Sequence, residues 1–172
     1  MRDDGQDRLS LSITLADGFT RYEHIETVLK PRIKEHEDYR ELPYQLKYDD
    51  ATGKTIQENF KTVGYGHKII PGEILPTTKE GFEELFNADM DKAIKGVETF
   101  DLPPDLPDEC YGVVVEMAYQ MGVEGTRKFD ETLKYLRRGD YVGASVEMLD
   151  SDWATQTPFR AVALSKIVAN CE

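Results

Sequence analysis

Three hydrophobic rhythms follow one another along the chain. Leu9, Leu11, Ile13 and Leu15 alternate with polar residues, which predicts one short strand ended by Asp17-Gly18. Tyr22 to Leu29 suits a helical turn or two, and Pro31 suits the first position of a new helix. Ile33 and Glu37 stand four apart on one face of that helix, which Pro43 bounds. From Tyr44 to Ile70 the rhythm changes. YQLKY and NFKTVGYGHKII are rich in β-formers and DDATGK between them is turn chemistry, so a hairpin or three-strand ribbon is predicted, closed by Pro71-Gly72 and Pro76. After that the period is helical. Thr77-x-x-Glu80 has the spacing of a capping box, and Phe82, Leu85, Phe86, Ala93, Ile94 and Val97 recur on one face. DLPPDLPD (101–108) is a proline-rich link. Helices are predicted at 109–121, ended by Gly122; 130–138, ended by Gly139; 141–150; and 158–170. The pattern describes an α+β protein: a small lobe with a β-hairpin, then a larger all-helical lobe.

Composition narrows the function. A chain of 172 residues, 40% hydrophobic and 31% charged, is an ordinary soluble composition and long enough to bury a core without staples. The formal net charge of -12 repels phosphate backbones, which argues against a nucleic-acid partner. No stretch approaches the apolar length of a membrane span. MRDDGQDR is charged and is followed by alternation, not an apolar run, so no secretion signal is expected. Cys110 and Cys171 lie far apart and form no metal pattern; a disulfide framework is not expected.

The chemistry concentrates in KTVGYGH (61–67). Glycine weakens a strand interior, so Gly64 and Gly66 mark a bend or a close approach by something else. Upstream, Glu37 falls near a helix C-terminus. That end carries partial negative charge and favours keeping a carboxylic acid protonated, as a glycosidase needs for its leaving oxygen. Alone, such a glutamate is most often a solvated surface residue.

Read together, the segments are more specific. HEDYRELPY (36–44), a hairpin and KTVGYGH resemble the phage-type, T4-lysozyme-like muramidases of glycoside hydrolase family 24, which carry E-G-x-R-x-x-x-Y, a hairpin acid, then T-[IV]-G-[YI]-G-H. Glu37, Arg40 and Tyr44 stand at the first motif's intervals, with Asp38 in place of its glycine; Thr62 to His67 fill the second completely. TKEGFEELFNADMDKAIKGV (78–97), YQMGVEGTRKF (119–129) and WATQTPFRA (153–161) continue the likeness, which spans about 32 to 170.

The resemblance implies an N-terminal extension (1–30) and a lysozyme-like domain (31–172), its hairpin lobe at 31–77 and its helical lobe at 78–172. It implies an endolysin that cleaves the β-1,4 bond between N-acetylmuramic acid and N-acetylglucosamine with inversion and without cofactor or metal. Glu37 is then the proton donor, and Thr62 faces the reacting sugar and helps hold a water. One departure matters. The family's second acid falls two residues after the tyrosine, where this chain has Leu46. The interval from Glu37 to Thr62 is also longer than the family's, so the hairpin is expected to be lengthened. Aligning Gly53 with the family's turn glycine puts Asp50 in the acid's place, with Asp49 as its neighbouring candidate. Arg160 matches the arginine that pairs with the catalytic glutamate. Tyr119, Gln120 and Thr132 match residues that contact the glycan, and His67 is expected to pair with Asp89. Trp153 is expected in the core. The implied partner is bacterial peptidoglycan, met by a monomer without nucleic acid or membrane insertion. The protein would wait in a host cytoplasm before release to the wall, or ride in a virion. A lytic transglycosylase using Glu37 alone, and an inactive glycan-binding or virion structural protein, are the alternatives.

Overall fold

The computed structural model describes residues 20–172, so the strand expected at 9–15 lies outside the described residues. The chain divides into two compact units. One is Lys34–Lys92; the other holds the described residues up to Ile33 together with Ala93–Glu172. Their contents are those of an α+β fold, a small β region and a larger helical one.

Thr20 opens the first helix: its hydroxyl accepts the N–H of Glu23 at 3.0 Å. Helix α1 (Arg21–His24) runs through a π-helical turn (Ile25–Leu29) into α2 (Lys30–His36). The sequence predicted a fresh helix at Pro31; the chain instead stays helical through it. A prolyl ring brings no N–H and crowds the preceding carbonyls, and the wider π turn just upstream gives it room.

In the smaller unit, β1 (Tyr39–Arg40), β4 (Thr62–Tyr65) and β5 (His67–Lys68) form an antiparallel sheet of order β1-β4-β5. Strands β2 (Tyr44–Asp49) and β3 (Lys54–Asn59) form a separate two-stranded hairpin, registered from Tyr44 opposite Asn59 to Asp49 opposite Lys54. The long hairpin expected from the sequence is present, but it is not continuous with the glycine-bearing strand. Helix α3 (Lys79–Glu98) starts here, and its Phe82, Phe86 and Met90 are buried with Val63. The ring of Tyr39 meets Phe82 edge-on at 5.9 Å and that of Tyr65 meets Phe86 at 5.4 Å. The helix cap falls one residue later than the sequence suggested: Thr78, not Thr77, accepts the N–H of Gly81 at 3.0 Å.

The larger unit is helical: α4 (Asp108–Met121), α5 (Val123–Arg127), α6 (Asp130–Arg137), α7 (Tyr141–Glu147), α8 (Asp152–Gln156) and α9 (Pro158–Ala169). Helices α5 and α8 were not foreseen, because five residues are too few to show a period. Helix α4 is the centre of the core; Cys110 to Ala118 are all buried along it. Trp153 lies in that core, edge-on to Phe129 at 5.8 Å. Cys110 and Cys171 are joined in a disulfide, with Cα atoms 6.3 Å apart. Their separation of 61 residues concealed this: Val168 and Leu164 bury the end of α9, and only that packing brings the C-terminus to α4.

Candidate active site

Within the smaller unit, Glu37 is the first residue past α2 and is only partly exposed. Its carboxylate lies against Gly66, which joins β4 to β5 with φ +77°. A Cβ built at Gly66 would stand 2.5 Å from Glu37 Oε1 and 3.0 Å from its Cδ. At Gly64 (φ +63°) a Cβ would stand 2.9 Å from the Phe82 ring. The two glycines thus answer separate demands, one from the core and one from the acid, and both backbones sit in the left-handed region that disfavours side chains. Thr62, partly exposed, begins β4 opposite Lys68. Gly66→Ala should therefore cost about 1–2 kcal/mol in stability from backbone strain. It should cost more in activity, on the order of a hundredfold, because the flexible carboxylate moves away from the new methyl group. Urea titration beside a lysis assay checks both; an alanine variant with native activity would mean the carboxylate's seat on Gly66 does not matter.

His67 is buried, at 8% exposure, between two carboxylates. Its Nδ1 is 2.7 Å from Asp89 Oδ2, and its Nε2 is 3.0 Å and 3.1 Å from the two oxygens of Glu73. Glu73 also accepts the Ile70 N–H at 2.5 Å and was not foreseen. Only the folded turn at Pro71-Gly72 brings it back to the ring. Burial works against a charged imidazole here, but hydrogen bonds and charge from Asp89 and Glu73 outweigh it and raise the His67 pKa above its usual value. The Ile70 N–H first, and then His67, lower the Glu73 pKa. The signs follow by linkage. The His67 contribution is complete below its unfolded value near 6.5 and is lost as pH rises through the higher folded value. The Glu73 contribution is present above its unfolded value near 4.5 and is lost as pH falls through the lower folded one. Stability should therefore peak in the window between these losses. A His67 titration by NMR with no upward displacement would remove the upper limit.

The aspartates lie at the hairpin tip. Asp49 ends β2, and its carboxylate accepts the Thr52 hydroxyl at 2.7 Å and the Ala51 N–H at 3.0 Å. The Thr52 contact, then the Ala51 one, hold it below the usual carboxylate range. Asp50 follows in the turn, exposed. Leu46, in the family acid's place, is 63% exposed on β2.

In the larger unit, Arg160 donates from Nε to Glu116 Oε2 at 2.9 Å, and Arg32 donates from Nε to Glu116 Oε1 at 2.7 Å. Glu116 has no solvent exposure. Gln120 accepts the Trp153 indole N–H at 2.9 Å and donates weakly to Thr157 Oγ1 at 3.4 Å. Tyr119 is partly exposed, and Thr132, in the first turn of α6, is buried at 5% exposure. Glu37, Thr62, Gly66, His67 and Asp89 thus all belong to one unit. Arg160, Tyr119, Gln120 and Thr132 belong to the other. Among the described residues no group of three or more His, Cys, Asp or Glu is placed to hold a metal ion.

The family model for phage lysozyme matches residues 34–164. Two curated relatives come from Dictyostelium discoideum. "Probable T4-type lysozyme 2" is 29% identical over 151 residues, which is 70% of this chain and 88% of the relative. "Probable T4-type lysozyme 1" is 28% identical over 154 residues, 72% of this chain and 90% of the relative.

Proposed function

This chain belongs to the phage lysozyme family, and from that premise we propose that it cleaves the β-1,4 bond between N-acetylmuramic acid and N-acetylglucosamine in bacterial peptidoglycan. It is a glycoside hydrolase of the lysozyme type. The observation that supports the assignment of its acid best is the seat of the Glu37 carboxylate on Gly66, beside the strand that carries Thr62. Glu37 gives its proton to the leaving glycosidic oxygen. Thr62 orients a water on the opposite face of the sugar, and Asp50 takes that water's proton as its oxygen bonds to the anomeric carbon, inverting it. Arg160 and the glycan contacts of Tyr119, Gln120 and Thr132 are carried by resemblance. Tyr119 and Gln120 are partly exposed, whereas Thr132 is buried.

A second reading has its own support. The hairpin register carries Asp49 and Asp50 out to the tip, past Leu46. Glu37 acting alone, as a lytic transglycosylase, would need neither. Clearing of purified sacculi followed by mass spectrometry decides. Hydrolysis leaves reducing N-acetylmuramic ends, the transglycosylase leaves anhydro ends, and binding without clearing would sink both in favour of a glycan-binding protein. Asp50→Asn should cut hydrolysis by about 10²-fold or more, while Asp49→Asn should cost little activity. Reversed effects would move the base to Asp49, and two active variants would leave Glu37 alone.

The biological setting we propose is bacteriolysis. The phage family supports a phage lysis enzyme, whereas the two named relatives are from an amoeba. The Cys110–Cys171 disulfide supports work in an oxidising place such as the wall, since cytosols keep thiols reduced. No helix among the described residues is long and apolar enough to cross a membrane.

A further inference from the structure

The β2–β3 hairpin exposes more than a surface hairpin needs to. All six residues of β3 and the middle four of β2 are exposed, Leu46 by 63% and Tyr48 by 62%. A two-stranded ribbon that buries neither face is marginal in water, so large apolar side chains on it call for another use.

The two faces differ in chemistry. Side chains alternate along a strand, and the register sets Tyr44, Leu46 and Tyr48 on one face beside Asn59, Gln57 and Thr55. Gln57 Nε2 donates to Asn59 Oδ1 at 3.1 Å on that same face. No carboxylate or ammonium is among these six. The opposite face carries Lys47, Asp49, Lys54 and Glu58 along with Gln45 and an exposed Ile56, with Lys47 and Glu58 3.6 Å apart. One face is thus ordinary charged surface, and the other combines aromatic rings and a leucine with amides and hydroxyls. Pyranose rings have the matching surface: apolar C–H faces with hydroxyl and acetamido groups around the rim. An aromatic ring with a polar tip serves both.

We propose that the Tyr44–Leu46–Tyr48 face of the hairpin, with Thr55, Gln57 and Asn59, is a platform for the sugar backbone of a peptidoglycan strand. Its place favours that occupant. The hairpin leaves the chain seven residues after Glu37 and returns at Asn59, three before Thr62; its foot is tied where the Phe60 N–H donates to the Pro43 carbonyl at 2.8 Å. Tyr44 and Tyr48 stand four residue steps apart along the strand, about 13 Å, longer than one disaccharide unit. Charge favours it too. The chain carries -12 and the wall's peptides are anionic, so a face without charge meets the neutral sugars where repulsion is least. The platform supplies affinity for long glycans and takes no part in bond cleavage.

The proposal rests on peptidoglycan being the substrate, and a binding measurement separates the two. Glu37→Gln protein is titrated calorimetrically with the β-1,4-linked hexamer of N-acetylglucosamine and sedimented with purified sacculi. Tyr48→Ala added to it should weaken hexamer binding by about tenfold, the loss of one stacked ring. Tyr48→Phe should restore it, and Ile56→Thr, on the charged face, should leave it within about twofold. Circular dichroism and sedimentation velocity verify that each variant is folded and establish its association state. Equal affinity across the series overturns the platform, as does no hexamer binding at all. Self-association that Tyr48→Ala abolishes overturns it in favour of a second copy of the chain. If Tyr48-dependent binding holds but the unsubstituted protein leaves sacculi intact, hydrolysis fails and the platform stands. If sacculi clear and binding ignores Tyr48, the reverse is established.

Discussion

Glu37→Gln should slow wall lysis by orders of magnitude while leaving the fold intact. Glutamine matches the glutamate in size and still fills the space against Gly66, so packing is unchanged. What is lost is the transferable proton, together with the carboxylate's charge. General acid catalysis contributes about 10²–10⁴ in rate, and sacculus turbidity should fall that much more slowly. Two further features make the variant diagnostic. The protein should keep its unfolding midpoint, because the partly exposed carboxyl sits at the end of α2 and outside the apolar cores. It should also still sediment with sacculi, since glycan contacts are untouched. A slow, folded, binding-competent variant points to the proton; a variant that clears sacculi at the normal rate removes Glu37 from the mechanism and leaves the fold without its assigned acid.

Much of this unit was legible in the chain, for a physical reason. Backbone demands are local, and glycine advertises them. Gly64 and Gly66 announced that something must come close, and the structure identifies the visitors as the Phe82 ring and the Glu37 carboxylate. Helix α3 was legible because Phe82, Phe86, Ala93 and Val97 recur at helical spacing on a long helix. What escaped notice depends on tertiary packing. Glu73 reaches His67 only after the turn at Pro71-Gly72 has formed. Cys110 finds Cys171 only when α9 has packed. Pro31 read as a helix start because a π turn, which can absorb a proline, has no sequence period of its own. The hairpin's length was visible in the spacing, but the difference between its faces appeared only with the register Tyr44 to Asn59.

The deepest element hidden from the sequence is Glu116, and removing it should be the most destabilising single change in the larger unit. In a run of CYGVVVEMAYQM it is the one charged residue. The structure gives each of its oxygens an arginine, Arg32 at 2.7 Å and Arg160 at 2.9 Å, at zero exposure. Such a cluster is poor proof of stability, because taking three charges out of water costs as much as their attraction returns; a whole triad replaced by apolar residues is often neutral or better. Breaking it from one side is different. Glu116→Ala leaves a cavity and two guanidinium groups, 17% and 11% exposed, with their shared counter-charge gone. That loss should cost about 3–5 kcal/mol, a fall in Tm of roughly 10 °C for a protein of this size. Glu116→Gln keeps the volume and isolates the charge, so it should fall between wild type and alanine. The triple change of Arg32 and Arg160 to Met with Glu116 to Leu should regain most of the stability. It should not regain lysis, because Arg160, the arginine assigned to the catalytic site by resemblance, is gone. Thermal unfolding of the three proteins decides. If Glu116→Ala unfolds within about 1 kcal/mol of wild type, the charges are not held in a dry core and the triad is surface chemistry after all.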